Sequence, residues 1–327
     1  MQHSNTPLNP APRQLWYVQP EIHHYIRRVK LFQFPKIFIH SQEIIRSIMT
    51  SPKTDFPPVR ACLLDMDGLL IDSEDKYTIC DNMILAKYGR PPIPWSIKAQ
   101  LQGRPGVSAV KIMHEWSQLP ITIEEYQTQQ LILHEEHFPS VQPLLGVSKL
   151  LSDLSSATVT LPTTPPKTLK VHTALATSSM ALKFKWKTSH LEELISVFPP
   201  HRRVLGDDPR IPKGRGKPAP EIYLLALDTI NQSLDEGEPN IKPEECLVFE
   251  DSVSGVEAGR RAGMRVVWIP HPGLAGEYVG REGEVLAGRT GEGEGDLHQV
   301  GEVGDGWGEQ LESLEGFDWG KYGIEIL

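Results

Sequence analysis

A short apolar run at residues 59–64 ends abruptly in Asp65-Met66-Asp67-Gly68, and that junction constrains the fold more than any other segment. The run has the length and composition of a buried strand. Two carboxylates two residues apart share one face of a strand, where like charges repel. Gly68 directly after them lets the backbone turn sharply and bring its N–H groups close to a ligand. The junction reads either as an acidic strand end or as an oxygen-rich site suited to a hard cation such as Mg²⁺ and a phosphoryl group.

Further along, strands and helices alternate. Residues 74–88 carry apolar side chains at helical spacing (Tyr77, Cys80, Ile84, Leu85, Tyr88) and stop at Gly89. Helices are expected at 96–101, 108–118, 123–137 and 146–154, and the first four form an all-helical module over 73–145. A Thr/Pro-rich insert at 155–168 reads as an exposed loop. Residues 169–176, 203–205, 245–249 and 265–269 are strand candidates, separated by helices at 219–230 and 254–262. The pattern predicts an α/β fold: a Rossmann-like, three-layer parallel sheet over 59–72 and 146–272, interrupted by the helical module. From 273 to 312 the chain is rich in Gly and Glu and reads as a flexible insertion. Residues 313–327, with Leu314, Phe317, Trp319 and Tyr322, read as an end packed on the core.

Charge is uneven. The net charge is −9; residues 1–60 hold eight Lys/Arg and three Asp/Glu, or +5, which leaves −14 for the remainder. An acidic body argues against nucleic acid as a partner, and no apolar run is long enough for a membrane span. Residues 1–58 read as a disordered or targeting extension, with a start at Met49 as one option. Three cysteines (Cys62, Cys80, Cys246) without metal-ligand spacing read as buried thiols in a reducing, cytoplasmic setting. A presequence in the basic extension would make it mitochondrial instead. The chain is expected to be a monomer.

Three clusters follow the acidic pair, each placed at the C-terminal end of a strand candidate, the edge where open α/β sheets bind ligands. Thr177-Ser178-Ser179 offers hydroxyls and amides, either as a helix cap or to a phosphoryl group. Gly216-Lys217-Pro218 lacks the P-loop pattern and leaves a single Lys, either in a solvated loop or neutralising phosphate. Glu250-Asp251-Ser252 ends an apolar run with two more acids, either capping the next helix or completing a Mg²⁺ site. Four such clusters in this order are far more specific than any one alone.

In these four clusters the chain resembles the haloacid dehalogenase-like (HAD) phosphohydrolases: Asp65-x-Asp67-Gly68, Thr177, Lys217 and Glu250-Asp251 stand where that superfamily has its four motifs. The helical block stands where the superfamily has its cap. The pseudouridine-5′-phosphatase branch is the most similar, through 175–179, 187–189, 204–209, 216–220 and 246–251. The resemblance spans about 59–272 and implies a Mg²⁺-dependent phosphatase of a small phosphorylated metabolite, a nucleoside or sugar phosphate. It implies Asp65 as nucleophile, Asp67 as acid and base, and Thr177, the Ser178 amide and Lys217 as holders of the phosphoryl oxygens. Metal ligands would be Asp65, the Asp67 carbonyl and Asp251, with Glu250 nearby. Gly68, turning after the acidic pair, would bring its backbone to the substrate, and Gln102-Gly103-Arg104-Pro105 in the helical block would form the substrate loop, with Gly103 and Arg104 binding substrate.

Other candidates carry less. Tyr77 stands where related sugar-phosphate mutases carry a His, which favours hydrolysis over a mutase. An inactive binding protein is the other alternative, disfavoured because every motif position is filled. His134-Glu-Glu-His137 lacks the spacing of a helical zinc site and reads as a solvated face. Trp95 and Trp116 read as core of the helical block.

Overall fold

A computed structural model of the chain describes residues 56–291 and 301–327. The expectations for residues 1–55, including the start at Met49, lie outside the described residues. No described helix is long and apolar enough to cross a membrane.

The principal sheet has six strands: β1 (Ala61–Leu64), β4 (His172–Ala176), β5 (Arg203–Val204), β6 (Cys246–Glu250), β7 (Arg265–Trp268) and β8 (Gly308–Gln310). They lie in the order β5-β4-β1-β6-β7-β8, and every pairing is parallel. Strand β1 is central, with Leu63 beside Ala174 on one side and Val248 on the other. All four of its residues are buried, as a strand covered on both faces requires. On one face Cys62, Leu64, Leu175 and Phe249 pack with Leu150, Leu151 and Leu154 of α5 (Val147–Ser156). On the other, Leu63, Ala174 and Val248 meet Ile222, Ala226 and Ile230 of α8 (Glu221–Asn231) and Val256 of α9 (Val253–Arg261). The molecule is thus the three-layer α/β sandwich expected.

Between β1 and α5 stand four helices: α1 (Ser73–Lys87), α2 (Trp95–Leu101), α3 (Gly106–Ser117) and α4 (Ile123–His137). They share an apolar cluster of their own, Ile84, Leu85, Val110, Met113, Leu119 and Tyr126. A Thr122–Glu125 capping box starts α4 by satisfying two end amides reciprocally. Beyond β4 come α6 (Ala181–Thr188) and α7 (Glu192–Ile195), which the sequence pattern did not announce.

Several expectations need correction. The Thr/Pro insert is no loop: Ala157–Leu161 (β2) and Lys167–Lys170 (β3) form an antiparallel hairpin, and Ile324–Ile326 (β9) pairs with β2. Inward Val159 alternates with outward Thr158 and Thr160, but the strand that completes this sheet comes from the far end of the chain. The expected strand 169–176 splits at Val171 between the two sheets. In the Gly/Glu segment, α10 (Pro272–Glu277), α11 (Glu282–Ala287) and β8 are regular, and only 292–300 lie outside the described residues. Residues 56–58, assigned to the extension, pack on the core: Phe56 meets Trp307 edge-on at 5.4 Å, and Arg265 donates to the Pro57 carbonyl at 2.6 Å. His134 is fully buried rather than solvated. Trp95 stacks on His271 at 4.6 Å and packs with the sheet's core, whereas Trp116 joins the helical cluster. Leu314, Phe317, Trp319 and Tyr322 pack on the core beside Phe249, and all three cysteines are buried free thiols.

Candidate active site

The C-terminal ends of β1, β4 and β6 deliver Asp65, Thr177 and Glu250-Asp251 to one edge of the sheet. Lys217, just before α8, reaches under them: its Nζ lies 2.5 Å from Asp65 Oδ1 and 2.5 Å from Glu250 Oε1. The Tyr223 ring lies 5.1 Å from the same ammonium, and the Tyr223 hydroxyl donates to Glu250 Oε1. Glu250 Oε2 accepts from the Ser252 hydroxyl at 3.0 Å and the Ser252 amide at 3.2 Å. Glu250 therefore has both oxygens engaged. Asp251 does not: Gln102 donates to its Oδ2, while Oδ1 is buried without a partner.

Asp67 has the richest set of donors. Lys187 Nζ, the Ser73 hydroxyl (2.5 Å), the Ser179 hydroxyl (2.7 Å) and the Thr177 hydroxyl (3.3 Å) all converge on its carboxylate. Gly68 adopts φ +79°, and a Cβ there would collide with Asp251; only Gly fits that turn. Gly103, at φ +73°, approaches Ser252 just as closely, and its carbonyl accepts from the Ser178 hydroxyl at 2.9 Å. Asp65, Asp67, Gly103, Arg104 and Ser178 all line one cavity between the sheet edge and the helical block. Thr177 and Lys217 are buried beneath it. The catalytic and metal-ligand candidates, with Gly68, Gly103, Arg104 and Ser178, are thus brought to this place.

Several residues were missed. Lys187 sits in the run Lys183-Phe-Lys185-Trp-Lys187, which alone looks like a solvated basic face; the i,i+4 spacing of Lys183 and Lys187 was the available signal. Ser179 stood in the hydroxyl cluster after β4 and Gln102 in the substrate loop, though neither was given its partner, Asp67 or Asp251; Ser73 and Tyr223 gave no signal. Glu74 lines the cavity with its carboxylate 4.0 Å from Lys98.

The two acids of the opening pair are driven in opposite directions. Burial raises the Asp65 carboxyl to about 7, partly offset by Lys217 and reinforced by Glu250 and Asp67. Burial acts on Asp67 as well, but Lys187 with the Ser73 and Ser179 hydroxyls outweighs it and holds Asp67 below the usual carboxylate range. Burial, then Glu250 and Asp65, push Asp251 well up. Oxygens of Asp65, Glu250 and Asp251 lie within 4.8 Å of one another. Three buried acids against one lysine, with an orphaned Asp251 oxygen, fit a divalent cation.

Residues 59–263 match the family model described as haloacid dehalogenase-like hydrolase. The chain belongs to the haloacid dehalogenase-like hydrolases. Among its HAD relatives, a Saccharomyces cerevisiae protein named "Probable pseudouridine-5′-phosphatase" is 40% identical over 266 residues, 81% of this chain and 98% of that one. A Drosophila melanogaster protein of the same name is 38% identical over 70% of this chain and 89% of its own. The Arabidopsis thaliana "(DL)-glycerol-3-phosphatase 1, mitochondrial" is 32% identical over 69% of this chain and 68% of its own. Among solved HAD structures, a haloacid dehalogenase-like protein of Agrobacterium tumefaciens covers 68% of this chain and 90% of its own. Its TM-score of 0.50 at 19% identity speaks to the fold alone.

Proposed function

We propose that this HAD hydrolase is a Mg²⁺-dependent phosphomonoesterase that cleaves a nucleoside 5′-phosphate, pseudouridine 5′-phosphate first, through an aspartyl-phosphate on Asp65. That it is a phosphatase of small phosphorylated molecules follows from its family and its named relatives. The finer reading rests on one observation: Asp65, Asp67, Thr177, Lys217 and Asp251 converge at a single sheet edge, with an Asp251 oxygen left unpartnered.

The roles are those the family resemblance implies, and the geometry supports them. An Asp65 oxygen attacks phosphorus, the bond to the leaving oxygen breaks, and Asp67 supplies that oxygen with its proton. Asp67 then takes a proton from the water that attacks the phosphorus of the aspartyl-phosphate, releasing phosphate and restoring Asp65. Held as an anion by Lys187 and three hydroxyls, Asp67 is poised for this second, basic half. The first half requires it to be protonated and free of Lys187, and the proton it takes from water in the second half is the one it gives in the next turnover. Lys217 offsets the negative charge of nucleophile and phosphoryl group together, while Thr177 and the Ser178 amide hold phosphoryl oxygens. Asp65, the Asp67 carbonyl and Asp251 would hold Mg²⁺, and Glu250, whose oxygens are taken, anchors Lys217 instead. Bound there, Mg²⁺ supplies the charge compensation that lets a carboxylate approach a phosphate dianion.

Helices α1–α4 act as the cap, and Gln102-Gly103-Arg104 joins cap to core through Asp251 and Ser178. A cap over the site excludes water from the reacting atoms. The test is phosphate release from pseudouridine 5′-phosphate, uridine 5′-phosphate and glycerol 3-phosphate, with and without Mg²⁺. Mg²⁺-dependent release, greatest from the nucleotides, is expected; release that persists in excess chelator contradicts the reading.

A further inference from the structure

Two polar groups line the active-site cavity and take no part in the chemistry above. Lys183, on α6, lines the wall with its Nζ 5.4 Å from the Tyr77 ring centroid, and it has no hydrogen bond or ion pair among the described residues. The side chain is half-buried and its ammonium has gained no acceptor in place of the water it lost; burial, then the charge of Lys187, pull its pKa down to about 8. Gln130, on α4, lines the same cavity. Both of its amide hydrogens are spent: Nε2 donates to Asp81 Oδ1 at 2.7 Å and to the Tyr126 hydroxyl at 3.1 Å. Tyr126 itself donates to Asp81 at 2.8 Å, so the amide is pinned in one orientation. Its Oε1 is left as an acceptor without a partner among the described residues.

The cavity thus offers a donor with three unspent hydrogens and a fixed acceptor. Leu101, Val110 and Met113 add an apolar wall. A polyol has no use for that wall. A second anion would pair with Lys183 or Arg104 but would meet the Gln130 oxygen and the Asp67 carboxylate on the same wall. A flat heterocycle with adjacent N–H and C=O groups satisfies all three features, because its faces are apolar and its edge is both donor and acceptor. We propose that Lys183 and Gln130 are the specificity-determining residues for the leaving group, reading the imide edge of a uracil-type base: Lys183 donates to a ring carbonyl and Gln130 Oε1 accepts the ring N–H. This rests on the phosphatase reading above and narrows it to nucleoside 5′-phosphates of that base class. Cytosine presents a bare ring nitrogen where uracil has N–H, and two acceptors would then face each other.

The experiment compares kcat/KM for pseudouridine, uridine and cytidine 5′-phosphates, glycerol 3-phosphate and 2-phosphoglycolate, in the wild type and in the K183M, K183R and Q130M variants. Each readout is a ratio of two substrates on one preparation, so it does not depend on the fraction of protein that folds. The wild type should favour the two uracil-type nucleotides over cytidine 5′-phosphate by about tenfold or more, the scale of one buried polar mismatch. K183M should lower the pseudouridine-to-glycerol ratio by about tenfold, and K183R should restore most of it. Q130M should collapse the uracil-over-cytosine preference. Unchanged ratios in K183M and Q130M, or a wild-type preference for 2-phosphoglycolate, overturn the subsite while leaving the phosphatase reading intact. No phosphate release from any of the five substrates overturns both.

Discussion

Glu250 and Asp251 are neighbours in the chain, yet they spend their oxygens differently, and the difference predicts which one a cation needs. Glu250 is surrounded by Lys217, Tyr223 and Ser252, whereas Asp251 Oδ1 has nothing. Anything that binds the folded state alone raises its stability by mass action, about 2.7 kcal/mol at a hundredfold excess over Kd. Millimolar Mg²⁺ should therefore raise the Tm of the wild type, and D251N should lose that rise; an equal rise in both proteins contradicts the assignment. His134 gives a second prediction at this scale. It is held between Tyr77 (5.0 Å between ring centroids) and Phe138 (4.4 Å), neither ring nitrogen has a partner, and burial pulls its pKa down to about 2. As pH falls below about 6.5 the unfolded imidazole gains a proton that the folded ring refuses, so stability falls by up to about 1.4 kcal/mol per pH unit. In urea unfolding between pH 7.5 and 5, His134→Phe should lose less stability than the wild type; parallel pH profiles contradict this. Asp65, Thr177 and Glu250-Asp251 were legible because each ends an apolar strand in a polar cluster; Lys217, in the loop before α8, was legible only through its Gly-Lys-Pro setting. Lys187 and His134 were not, because a Lys in a basic run and a His followed by two glutamates look solvated until the fold buries them.

At the scale of elements, the C-terminal segment acts as part of the core. Trp319 is 7% exposed, meets Phe317 at 4.6 Å between ring centroids, and donates from Nε1 to Asp153 at 3.2 Å. Strand β9 then completes the small sheet by pairing with β2. Trp319→Ala should cost about 3 kcal/mol or more, the usual range for emptying a buried aromatic site, read as a lower urea midpoint. A loss under about 1 kcal/mol would mean the segment is only laid on the surface. Long elements were readable: α1 and α4 show helical spacing or clear boundaries, and β1 and β6 are apolar runs that stop at acids. Short ones were not. Strand β8 is three residues in a Gly-rich stretch, and α10 and α11 are six residues each, too short for a period to emerge from composition. The β2–β3 hairpin was hidden for another reason, since Thr and Pro suggest a loop while its third strand lies more than 150 residues away.

At the scale of the whole molecule, sheet and helical block divide the work. The parallel sheet gathers acids and a lysine at one edge, where the lysine offsets part of their mutual repulsion and a divalent cation would offset the rest. The helical block supplies most of the cavity's apolar wall, the part of the site on which the proposed choice of leaving group rests. Chemistry was legible in the sequence because it depends on residues at strand ends. The residues proposed to set specificity were not, because Gln130 and Lys183 line one cavity only when α4 of the block and α6 of the core stand side by side. The account depends above all on Asp65 as the nucleophile. Wild-type enzyme quenched in acid during Mg²⁺-dependent turnover of pseudouridine 5′-phosphate should carry a phosphate adduct on the peptide containing Asp65, and D65N should show neither adduct nor turnover while remaining folded. Turnover in D65N at the wild-type rate, or an adduct on any other residue, would contradict it.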